Sequence, residues 1–245
     1  MKISRENKSN IDVEENTPCN KKRLFVDMDG TLAEWRNISF DAYCSEEFAV
    51  LSMEEKLNKV LYSPGYFISL KEHDHVVKAI SKLVEDDNDV EVFVLSCVIP
   101  DRDGVSPLAQ KNDWLDKHLP CIDAEHRVFV PNGKNKTDYV PNGVQEGDFL
   151  LDDYTKNLNE WESTGKGIGI KLLNQVNSSN GKWNGSKISN GVLSKFIARD
   201  ILAIMDGDRI EHNEPFKSDK TIHFVDFLNI VQEKLSQDKD NEITM

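Results

Sequence analysis

Leu24-Phe25-Val26-Asp27-Met28-Asp29-Gly30-Thr31-Leu32-Ala33-Glu34-Trp35 is an apolar run that ends abruptly in two carboxylates and a glycine. Three consecutive apolar residues suit a strand covered on both faces, as in a parallel sheet, and Gly30 lets the backbone turn where a Cβ would obstruct it. Both aspartates therefore stand at a strand's carboxyl end. Because side chains alternate along an extended backbone, Asp27 and Asp29 can converge on one point while Met28 turns back into the protein. Two carboxylates brought together with no nearby base need a metal ion or a shared proton. Solvated acids at a strand end are the plainer account of a bare Asp-x-Asp, so the rest of the chain has to decide.

Val90-Glu91-Val92-Phe93-Val94-Leu95 is a second apolar run, ending at Ser96. Arg127-Val128-Phe129-Val130 is a third and opens into a loop, 131–141, that carries Lys134 and Lys136. Asp148-Phe149-Leu150-Leu151 runs into Asp152-Asp153, and Gly169-Ile170-Lys171-Leu172-Leu173 is a fifth strand. Between them apolar residues recur at helical spacing over 75–84, 107–119 and around 157–163. Strands alternating with helices predict βαβ units, an α/β fold whose core is a three-layer, mostly parallel sheet. In such a sheet ligands bind beyond the carboxyl ends of the strands. Those ends carry Asp27 and Asp29, then Ser96, then the lysine loop, then Asp152 and Asp153.

The full Asp-x-Asp-Gly-Thr after an apolar strand resembles the first motif of the haloacid dehalogenase-like (HAD) phosphohydrolase superfamily. Hydrolysis of a phosphate ester assigns each strand end a task. A carboxylate can attack phosphorus and split one difficult displacement into two easier ones, which falls to Asp27. A second carboxyl group can protonate the departing alkoxide and later deprotonate water, which falls to Asp29 by its position. Mg2+ takes oxygen ligands and keeps several waters, so Asp27, the backbone of Asp29, and Asp152 or Asp153 form a suitable set. Charge on the phosphoryl oxygens calls for preorganised donors, and Ser96 and a loop lysine can supply them. Lys136 is preferred because Lys136-Thr137-Asp138 resembles the superfamily's lysine motif, with Lys134 as the alternative. Cys97, beside Ser96, joins the expected substrate contacts. Each residue also has a plainer reading: Ser96 as a strand cap, a loop lysine as solvated, Asp152-Asp153 as an Asx turn, Trp35 and Phe67 as core.

Composition bounds the partners. The formal charge of −13 over 245 residues works against binding a nucleic-acid polymer, whereas one small phosphate needs only a few local donors and a cation. Cys19, Cys44, Cys97 and Cys121 are scattered without a C-x-x-C pair, which reads as reduced thiols and a cytoplasmic setting. The first 22 residues lack an apolar leader core and no long apolar run occurs, so neither secretion nor a membrane span is expected. The expected organisation is a loose arm (1–22), a core (23–38 and 68–175), a small helical cap (39–67), an extension (176–235) and a tail (236–245). The cap rests on Phe48, Leu51, Leu57, Val60 and Leu61, followed by the turn Ser63-Pro64-Gly65-Tyr66-Phe67. In the extension, 177–189 reads as a long loop around Trp183, and 192–205 and 223–235 as helices. A homo-oligomer is compatible with all of this.

Four segments taken together narrow the resemblance: Val-Asp-Met-Asp-Gly-Thr-Leu-Ala-Glu-Trp (26–35), Ser-Pro-Gly-Tyr-Phe (63–67), Val-Leu-Ser (94–96) and Leu-Leu-Asp-Asp-Tyr (150–154). They are similar to the cytosolic-type 5'(3')-deoxyribonucleotidase family over roughly residues 24–175. That resemblance implies a Rossmann-like core with a helical cap inserted after the first strand, Mg2+ dependence, and dephosphorylation of nucleoside monophosphates through an aspartyl-phosphate. It also implies a base pocket lined by Trp35, Tyr66 and Phe67. The chain departs from the family in a long 136–148 loop, in a serine where threonine is usual, and in the extension past Asn174. Two alternatives are a HAD phosphatase for another small metabolite and a non-catalytic nucleotide-binding module.

Overall fold

The computed structural model describes residues 21–35, 50–86, 89–177 and 182–213. The expected arm up to residue 20, residues 36–38 of the expected core, the 39–49 part of the cap with Cys44, the helix over 223–235 and the tail lie outside the described residues, as does Cys19. Six strands form one wholly parallel sheet: β1 (Lys22–Val26), β2 (Val90–Val98), β3 (Arg127–Pro131), β4 (Phe149–Asp152), β5 (Ile168–Leu173) and β6 (Ser186–Ser189). Their spatial order is β3-β2-β1-β4-β5-β6. From β1 the chain first builds to one side, through β2 and β3, and then returns to the other side through β4. Such a reversal opens a crevice at the carboxyl ends of the central strands.

β1 shows why the opening run decides the fold. Leu24, Phe25 and Val26 are fully buried, Leu24 and Val26 in the apolar cluster on one face of the sheet and Phe25 in the cluster on the other. The first face is covered by α2 (Asp74–Asp86), α3 (Pro107–His118) and α5 (Ser194–Met205), with α1 (Met53–Leu61) adding Val60 and Leu61. α4 (Thr155–Glu162) covers the second face with Leu158 and Trp161. The result is the expected three-layer α/β core. α1, in the expected cap, starts with a capping box in which Ser52 Oγ accepts from Glu55 N and the Glu55 carboxylate accepts from Ser52 N at 2.8 Å. No helix among the described residues is long and apolar enough to cross a membrane.

The segment after Asn174 differs from the expected long loop. Residues 186–189 form β6 beside β5, and α5 packs along α2 with Ile197, Ile201 and Ile204 buried. Ser-Lys-Ile-Ser holds a single apolar residue, too few for a period-two pattern, which is why the strand is hard to read. Trp183 anchors it: the ring is buried against Gly169 and Gly185, where a Cβ would come within 2.7 Å and 2.6 Å of it. The described part of the expected extension therefore belongs to the core layers.

Candidate active site

The loop after β1 is wound tightly enough to present Asp27 and Asp29 at one rim. Asp27 N donates to Leu151 O of β4 at 2.9 Å, and Met28 O accepts from Leu32 N and Ala33 N, both at 2.9 Å. Gly30 sits at φ +83, and a Cβ there would collide with the Asp153 carboxylate. Only glycine allows that carboxylate to lie against the turn. Asp153 N in turn donates to Thr31 Oγ1 at 3.1 Å, which ties the ends of β1 and β4 together.

Two lysines from different elements reach the rim. Lys136, on a 3₁₀ turn (Lys136–Tyr139), is buried with Nζ 2.7 Å from both Asp27 Oδ1 and Asp152 Oδ2. Lys111, on α3, is 1 % exposed and donates to Asp29 Oδ2 at 2.5 Å, Ser96 Oγ at 3.1 Å and Cys97 O at 2.6 Å. Its ammonium also stands 5.0 Å from the centre of the Phe67 ring. Asp152 is further bonded by Tyr154 N at 2.7 Å and Asn157 Nδ2 at 2.8 Å. Asp153 Oδ2 accepts from Asn174 Nδ2 at 2.7 Å and Asn177 Nδ2 at 2.8 Å.

Burial governs the electrostatics. It pushes Asp27 up to about 8, against the pull of Lys136 and with the help of Asp152, Asp29 and Asp153. Asp153 rises to about 6 through burial and Asp152, restrained by the amides of Asn177 and Asn174 and by Lys171. Burial works against the Lys136 ammonium, but Asp152 and Asp27 more than offset it and hold its pKa above that of an ordinary lysine. Burial also pushes the Cys97 thiol up, so it is a poor nucleophile.

The donor set fits a hard divalent cation. Carboxylate oxygens of Asp27, Asp152 and Asp153 lie within 4.8 Å of one another, and all three residues are buried. Protein donors occupy both oxygens of Asp152, whereas no hydrogen bond of the described residues ends on Asp153 Oδ1. Asp27 and Asp153 are thus the carboxylates with capacity left for Mg2+, which suits all-oxygen coordination. Asp29 Oδ1 is buried with no hydrogen-bond partner among the described residues, an acceptor kept open beside the same rim.

A cleft of about 410 Å³ is lined by Asp27, Asp29, Trp35, Cys97, Lys134, Lys136 and Asp153, and also by Asn177. Ser96 and Asp152 stand behind this wall, fully buried. Tyr66 and Phe67 are outside the lining: the turn they begin is drawn onto α3, with Phe67 N donating to Gln110 Oε1 at 3.0 Å. Tyr66 meets the Trp35 ring edge-on at 6.4 Å, so it props the aromatic wall from behind. Lys111, Asn174, Asn177 and Lys171 were absent from the expected set. Lys111 carried a readable signal, because it precedes Trp114 and Leu115 by three and four residues and so shares their buried face.

The chain is similar to known proteins over most of its described length. The family described as "5' nucleotidase, deoxy (Pyrimidine), cytosolic type C protein" matches residues 21–181. Proteins of Staphylococcus aureus strains Mu50, MRSA252 and MSSA476, each named "Putative 5'(3')-deoxyribonucleotidase", are 26% identical over 172 residues, covering 64% of this chain and 86% of theirs. The match spans β1 to β5 and every residue placed at the rim, and the chain belongs to the 5' nucleotidase, deoxy (Pyrimidine), cytosolic type C family, whose members are phosphoric monoester hydrolases.

Proposed function

We propose that the protein is a Mg2+-dependent phosphomonoesterase acting on nucleoside monophosphates, with deoxyribonucleotides as the preferred class. The observation that carries this reading is the convergence of Asp27, Asp29, Lys136 and Asp153 on one cleft wall, with Trp35 beside them. An Asp27 carboxylate oxygen attacks phosphorus and the bond to the ester oxygen breaks. The departing alkoxide takes its proton from Asp29 Oδ1, the open oxygen. Water then attacks the aspartyl-phosphate, returns a proton to Asp29 and frees Asp27. Lys136 donates to the phosphoryl oxygens, and Lys111, whose ammonium is also held by Ser96 Oγ behind the wall, fixes the orientation of Asp29 through its other oxygen. A bound Mg2+, held by Asp27 and Asp153, would neutralise phosphate charge and lower the pKa of the buried nucleophile.

Trp35 supports a leaving alkoxide that carries a planar base, since a flat ring in a cleft wall offers a stacking surface to a base. The same reading puts the enzyme in the cytoplasm, where free thiols such as Cys97 and Cys121 persist. Phosphate release should be measured over a panel of ribo- and deoxyribonucleoside monophosphates and sugar phosphates, with Mg2+ and with a chelator. The expected result is Mg2+-dependent release that favours deoxyribonucleotides. Equal rates on sugar phosphates would move the substrate to another small metabolite. Nucleotide binding without release would leave a binding module.

A further inference from the structure

β5 is buried along most of its length, and a lysine stands within it. Lys171 has no exposed surface. An ammonium taken out of water costs several kcal/mol unless it is answered, so its place in an apolar strand needs a reason. Nζ donates to the main-chain carbonyl of Asp153 and to Thr155 Oγ1, the latter at 3.1 Å. In the sheet its Cα is the direct partner of Asp152. Lys171 does not line the cleft, so it cannot reach a substrate there.

The charges of the rim supply the reason. Lys136 answers Asp27 and Asp152, and Lys111 answers Asp29. Among the described residues, the carboxylate of Asp153 accepts hydrogen bonds from the neutral amides of Asn174 and Asn177 alone. The Lys171 ammonium donates to the main-chain carbonyl of Asp153 itself and helps hold down the pKa of its carboxyl group.

We propose that Lys171 is a built-in counter-ion of the metal site, offsetting Asp152 and Asp153 while no divalent cation is bound, so that the ligand set is assembled before the cation arrives. The inference rests on reading Asp27 and Asp153 as Mg2+ ligands. A fixed ammonium and an incoming dication repel one another. Lys171 therefore stabilises the metal-free protein most and opposes Mg2+ once the site is filled, a coupling that must be reciprocal.

The test is Lys171→Met, which keeps the length of the side chain and removes the charge, with Lys171→Arg as the charge-retaining control. Mg2+ affinity is measured by calorimetry, and Tm in chelator and in saturating Mg2+. Lys171→Met should bind Mg2+ about three- to tenfold more tightly, the scale of one unit charge acting through a partly screened interior. Its Tm should fall further in chelator than in Mg2+, and Lys171→Arg should keep the wild-type affinity. An unchanged or weaker affinity in Lys171→Met overturns the inference, whereas a wild-type protein that binds no Mg2+ overturns the metal site as well. Should Lys171→Met fail to fold, the Asp153→Asn/Lys171→Met double variant decides. A folded double variant supports the counter-ion, and a second failure overturns it.

Discussion

β1 carries buried ion pairs at both ends, and the two are built differently. At its start, Arg23 donates Nε to Asp148 Oδ1 at 2.8 Å and Nη2 to Oδ2 at 2.5 Å. Its remaining N–H groups reach the carbonyls of Pro141 and Gly143 at 2.7 Å and 2.9 Å, and Gln145 N caps Asp148 Oδ2 at 2.7 Å. Both charges are answered within the protein. At the carboxyl end lysines also meet carboxylates, yet Asp29 Oδ1 and Asp153 Oδ1 are left without protein donors among the described residues. The closed pair holds structure, whereas the open set holds capacity for something that is not protein. Buried charge becomes chemistry where donors are fewer than lone pairs.

That contrast can be broken at its most sensitive point by Asp27→Asn. Loss of the proposed nucleophile should lower phosphate release by at least about 10³-fold while the Tm stays within a few degrees of wild type. Near wild-type turnover would remove Asp27 from the chemistry. Arg23→Met attacks the closed pair, stranding Asp148, and should cost about 3–5 kcal/mol in denaturant unfolding with kcat per folded molecule unchanged. A loss of kcat without a loss of stability would reverse the roles given to the two ends. Lys111→Met lies between these extremes. It should lower kcat by about 10²-fold with KM changing less, because it frees Asp29 and Ser96 together; a change confined to KM would make Lys111 a binding group only.

The smallest effect belongs to two partly buried histidines, in which it takes opposite signs. Burial works against a charged His126, but the carboxylates of Asp123 and Glu91 outweigh it, so its pKa is raised. Its contribution to stability is complete below the unfolded value of about 6.5 and is lost as pH rises through the folded value. His118 is shifted down by burial, despite Glu72, so its contribution is present above about 6.5 and lost as pH falls through the folded value. Tm differences from wild type for His126→Gln and His118→Gln should therefore move in opposite directions between about pH 5 and pH 8. Parallel curves would show that these contacts carry no linked proton.

Much of the rim was legible because its residues sit where regular strands end. Asp27, Ser96 and Asp152 each follow an apolar run, and the parallel register of β1 with β2 and β4 brings those ends together. Lys136 was readable from its motif, although the loop alone does not distinguish it from Lys134. Lys111 and Lys171 escaped because a single lysine in an apolar pattern ordinarily reads as a boundary or a solvated side chain. Tyr66 and Phe67 read as pocket aromatics, but no local pattern tells that α3 pulls them behind Trp35. β6 was missed because its placement depends on Trp183 entering space left by Gly169 on β5 and by Gly185, a packing fit that no local periodicity records.

The outer side of β6 is already in use: Lys187 N donates to Ile210 O at 2.8 Å and His212 N to Lys187 O at 3.0 Å. An incoming strand from another molecule would find these rungs taken. At the opposite margin β3 ends in Pro131, which has no N–H to offer. Among the described residues, both borders of the sheet therefore offer an added strand fewer partners, and crowded solutions should yield fewer β-linked fibrils with residues 210–212 intact than after they are clipped away.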